Sequence, residues 1–72
     1  MTLVEVVRQF LHQRPFVPFR IVTKSGERHE IDNAERIALS KSEVHWFPKE
    51  GKWVRLPDDQ IDVVYAPRRA RD

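Results

Sequence analysis

The apolar residues of this chain change their spacing once, and the change falls at a pair of prolines. Before Pro15, the residues Leu3, Val4, Val7, Phe10 and Leu11 recur at the three- and four-residue intervals of one helix face. After Pro18, Phe19, Ile21 and Thr23 alternate with Arg20, Val22 and Lys24, the two-residue period of a half-buried strand. Pro15, Phe16, Val17 and Pro18 form a stiff connector, because each ring fixes its own φ and turns the preceding residue away from helix. Thr2 and Glu5 stand at capping-box spacing, which predicts a helix that opens there and stops by about Gln13. So short a helix is marginal alone in water, so its apolar stripe must dock on the sheet that follows.

The alternation continues to the end of the chain in short runs. Ser25 and Gly26 predict a two-residue hairpin turn into Glu27–Asp32, where His29 and Ile31 share a face. Asn33 and Ala34 break the run before Ile37 and Leu39, and Lys41 with Ser42 marks another turn. Val44 and Trp46 then oppose His45 and Phe47, so one of the two adjacent aromatics must face out of the sheet. Lys49, Glu50 and Gly51 turn the chain into a strand with Trp53, Val54 and Leu56. After the polar corner Pro57, Asp58 and Asp59, a last strand carries Ile61, Val63 and Tyr65 and closes at Pro67.

These elements predict an α+β domain, mostly β, over residues 1–66: an N-terminal helix, then a bent five- or six-stranded antiparallel sheet closing into a small barrel. The run Phe19-Arg20-Ile21-Val22-Thr23-Lys24-Ser25-Gly26, with Ile61-Asp62-Val63-Val64-Tyr65-Ala66-Pro67 as a final strand, resembles the Sm-like fold of the bacterial RNA chaperone. An SH3-like barrel fits the same strand count. Arg14-Pro15-Phe16-Val17-Pro18-Phe19-Arg20-Ile21 also resembles the P-F-x-P-F-x-I element of small uncharacterised bacterial proteins, a group that implies no activity. The chain departs from the Sm pattern where it matters for RNA. His29 and Glu30 replace a glycine of the bent strand, and Asp58-Asp59 stand where that family's basic Lys-His pair holds RNA. Two carboxylates at that corner repel phosphate, so the resemblance implies the fold without the RNA site.

Charge and composition narrow the function further. Residues 1–65 carry ten basic and ten acidic side chains, so the net charge of +2 resides wholly in a C-terminal tail, residues 67–72, that contains Arg68, Arg69 and Arg71. The body therefore lacks the cation surplus of a nucleic-acid binder. With 72 residues, no cysteine and two glycines, there is little room for a substrate pocket, a thiolate cluster or a phosphate loop, and we expect no enzyme, no metal and no cofactor. His29 and His45 would approach a zinc site with Glu30 or Glu43 only if their strands were neighbours, and no metal-ligand spacing asks for it. The acids Asp58, Asp59 and Asp62 read as turn chemistry. No segment has the apolar length of a membrane span, and a cytoplasmic location is the expectation.

What remains are aromatics. Trp46, Phe47, Trp53 and Tyr65 are the candidate interaction residues, because a large aromatic left outside a small core marks an interface. The leading expectation is a non-catalytic module that associates with itself or with a protein partner through sheet edges and these aromatics. The alternative is RNA or single-stranded nucleic acid, gripped by Arg68, Arg69 and Arg71 in a flexible tail while bases stack on Trp46 or Trp53.

Overall fold

The computed structural model describes residues 2–67 and contains one helix and six strands. Helix α1 spans Leu3–Leu11, with Thr2 as its N-cap: the Thr2 hydroxyl accepts from Glu5 N at 3.2 Å, the first half of a capping box. A second free donor of the first turn is satisfied from afar, where Val4 N donates to Asp58 Oδ1 at 3.0 Å. A carboxylate at this end also suits the helix dipole. The helix ends two residues earlier than the sequence predicts, at the cap His12.

The strands are β1 (Phe19–Thr23), β2 (Arg28–Ile31), β3 (Ile37–Leu39), β4 (Glu43–Trp46), β5 (Val54–Pro57) and β6 (Ile61–Tyr65). They form two three-stranded antiparallel sheets, in the orders β2-β1-β6 (sheet A) and β3-β4-β5 (sheet B). The single bent sheet closing into an Sm-like or SH3-like barrel is therefore corrected to two separate sheets. Two local features account for the division. Between β2 and β3 the chain enters a 3-10 turn, Ala34–Arg36, capped by Asn33 Oδ1 accepting from Glu35 N at 2.8 Å, which takes the chain out of sheet A. On β5 the hydrogen bond of Asp58 N to Ser42 O places the outward backbone positions at Arg55 and Pro57, and proline has no N–H to offer a further strand.

The β1–β2 hairpin is also built differently from the expected two-residue turn. Thr23 N donates to Glu27 O at 2.9 Å across the three-residue loop Lys24–Gly26, and Gly26 sits at φ +96°, a conformation glycine adopts without a Cβ penalty. The buried Thr23 hydroxyl accepts from Glu27 N at 3.0 Å.

The core follows the sequence periods. Phe19, Ile21, Ile31 and Ile61 from sheet A meet Val44, Trp46 and Leu56 from sheet B, and Val4 and Val7 of α1 are buried with them. Phe10 stacks on Phe19 at 5.1 Å between ring centroids, and Phe16 meets the same ring edge-on at 6.2 Å, so the proline connector is pinned to the core by its own aromatic. Among the described residues no helix is long and apolar enough to cross a membrane.

Candidate functional site

The four candidate aromatics fall in three places. Trp46 lies on the inner face of sheet B and is only 4% exposed, so it is a core residue and is not open for a partner or a base to stack on. Its neighbour Phe47 emerges on the opposite face at 48% exposure, as the alternation requires. Trp53, just before β5, reaches that same outer face and is 53% exposed. Tyr65 is on the outer face of sheet A, on the other side of the molecule's core. Arg68, Arg69 and Arg71 lie outside the described residues.

Register explains why Phe47 and Trp53 meet. Trp46 pairs with Val54 and His45 with Arg55, so the residue after the end of β4 and the residue before the start of β5 are brought to one corner of the sheet. The rings of Phe47 and Trp53 lie 6.3 Å apart. His45 stacks on Trp53 at 5.5 Å with an interplanar angle of 4°, which makes a row of three rings, His45, Trp53 and Phe47. The sequence places His45 and Phe47 on one face, but the stacking of His45 on Trp53 becomes visible only with the β4–β5 register.

An ion pair borders the row. Arg55 Nε donates to Glu43 Oε1 at 3.1 Å and its NH2 group to Oε2 at 2.6 Å, a bidentate fork, while His45 Nε2 stands 3.3 Å from Glu43 Oε1. The Arg55 hydrogen bonds hold the Glu43 carboxyl below the usual carboxylate range against a smaller opposing effect of burial, with His45 adding to the lowering. The guanidinium is correspondingly held in its charged form by Glu43. This corner of the sheet is thus a preorganised surface, with aromatic rings on one side and a fixed, neutralised charge pair on the other.

The other singled-out residues have structural duties or stand apart. Asp58 caps α1, a role no local pattern could reveal because its partner is 54 positions away. His29 is on β2 in sheet A and His45 on β4 in sheet B, so the strands are not neighbours and the two imidazoles do not converge. Among the described residues no group of three or more His, Cys, Asp or Glu side chains is placed to hold a metal ion. Searches for matching protein-family models, curated proteins and solved structures each found none.

Proposed function

We propose that this chain is a non-catalytic interaction module that binds protein through the His45–Trp53–Phe47 row, with a second copy of itself as the simplest partner. The observation that carries this reading is that Trp53 and Phe47, each about half exposed, share one face. Aromatic residues on such a face supply large contact area at small entropic cost, which is why they dominate interface energetics. The neighbouring Glu43–Arg55 pair favours self-association, because a two-fold arrangement lets each carboxylate meet the other copy's guanidinium without like charges opposed. A cytoplasmic setting belongs to the same proposal.

Binding of single-stranded nucleic acid is the second reading, favoured by one feature: Trp53 is half exposed and stacked on His45, aromatic surface of the kind on which bases stack. The Glu43–Arg55 pair beside that surface is neutral and supplies no cation for a phosphodiester, which places this reading second. Sedimentation over a concentration series separates the two when paired with anisotropy of a labelled oligonucleotide at low and high salt. The first reading predicts a dimer that Trp53→Ala reduces to monomer, with no oligonucleotide bound. A wild-type monomer at all concentrations, or a dimer indifferent to Trp53→Ala, overturns it.

A further inference from the structure

A groove of about 530 Å³ runs between β2 and the loop that joins β4 to β5, on a different part of the surface from the aromatic row. Arg28, His29 and Glu30 line one side, the loop Pro48–Lys52 the other, and the buried Trp46 and half-buried Val54 lie between them. Two independent features of this groove bear on its occupant.

The first is an open strand edge. Because Thr23 N bonds to Glu27 O, the alternation of an antiparallel pair directs the backbone groups of Glu27, His29 and Ile31 toward β1. Those of Arg28 and Glu30 therefore point away from the sheet, on the side where these residues line the groove. β2 is an edge strand, so nothing in the sheet pairs with them. The second is charge. Arg28, Lys49 and Lys52 form no ion pair among the described residues, whereas Glu30 is held by Arg20 at 3.0 Å, which leaves Asp32 and Glu50 as the opposing anions.

The geometry points to a peptide-binding groove: an extended segment of a partner protein adds to β2 as a fourth strand of sheet A, with an acidic side chain opposite Arg28. Strand addition supplies both the donors and the acceptors that the Arg28 and Glu30 backbone groups lack. A phosphodiester backbone offers no row of alternating N–H donors and carbonyl acceptors at strand spacing, so the edge selects peptide over nucleic acid. A carboxylate opposite Arg28 forms a cross-strand charge pair on the side of the groove that faces the loop lysines.

The test titrates the labelled full chain with a short capped peptide of alternating Thr and Val residues carrying one central Glu, followed by amide NMR and hydrogen exchange. Expected are saturable shifts at Arg28, Glu30 and Gly51 and slowed exchange of the Arg28 and Glu30 amides. The same peptide with Lys for Glu should bind about three-fold more weakly, and Arg28→Glu should reverse that order. A backbone N-methylated version should not bind. Trp53→Ala should leave all of this unchanged, which separates the groove from the aromatic row. Equal binding of the N-methylated peptide, shifts confined to Phe47 and Trp53, or displacement of the peptide by an oligouridylate at low salt would each overturn the proposal.

Discussion

The outer faces of the two sheets each carry an exposed aromatic, and they manage it in opposite ways. On sheet A, Arg20 donates to the Tyr65 hydroxyl at 3.1 Å, lies 5.8 Å from the centre of its ring, and forks to Glu30 at 3.0 Å on the far strand. The Tyr65 hydroxyl and the Glu30 carboxylate together hold the Arg20 guanidinium more firmly protonated. That face is a cross-strand polar network closed on itself. On sheet B the corresponding ion pair, Glu43–Arg55, stands beside the rings and leaves Trp53 and Phe47 covered only by each other and by His45. The comparison teaches that exposure alone does not mark an interface. What distinguishes sheet B is aromatic surface that, among the described residues, no hydrogen bond or cation engages.

The sharpest way to break this contrast is to compare the two tryptophans. Trp46→Ala, which empties the core of sheet B, should cost about 3–5 kcal/mol and leave the chain largely unfolded by urea titration. Trp53→Ala removes only a surface stack and should cost about 1 kcal/mol or less while abolishing association. Equal losses would erase the distinction between faces. Next in size is Asp58→Ala, which removes the remote cap of α1 and should lower the urea midpoint by the equivalent of about 1 kcal/mol, against no resolvable change for Asp59→Ala.

The acid response provides a smaller test. The folded Glu43 carboxyl titrates below its unfolded value, so its contribution is complete above the ordinary carboxylate range and is lost as pH falls through the depressed value. Glu43→Gln should therefore lose less stability than the wild type between roughly pH 7 and pH 3, read from urea midpoints at each pH. An identical acid loss in both proteins would show that the fork is not made in solution. The smallest expected effect is on sheet A, where Arg20→Met should leave sedimentation unchanged; new association on freeing Tyr65 would show that the polar network suppresses a second sticky face.

Much of this was legible before any coordinates. The two-residue period put Phe19 and Ile21 on one face and set Val44 and Trp46 opposite His45 and Phe47, because a strand leaves each side chain only two directions, but which of Trp46 and Phe47 turns inward is decided by how the two sheets pack. The helix stripe, its Thr2 cap and the stiff proline connector rest on equally local rules. What escaped the sequence depends on pairing between distant segments. The β1–β6 ladder, the cap from Asp58 to Val4, and the meeting of His45 with Trp53 are set by register and topology. The expected barrel failed for a related reason: short hairpins predict neighbouring strands, but whether the ends of a sheet meet depends on such details as a 3-10 turn after Asn33 and a proline on the outward side of β5.

The most direct test of the central claim uses the indole N–H signals of the two tryptophans as reporters on opposite faces of one sheet. As protein concentration is raised, the Trp53 indole resonance should shift along a saturable curve that matches the growth of the dimer, while that of Trp46 stays fixed. A Trp53 signal that does not move while the dimer forms, or no concentration dependence in either, would contradict the assignment of this aromatic row as the interaction surface.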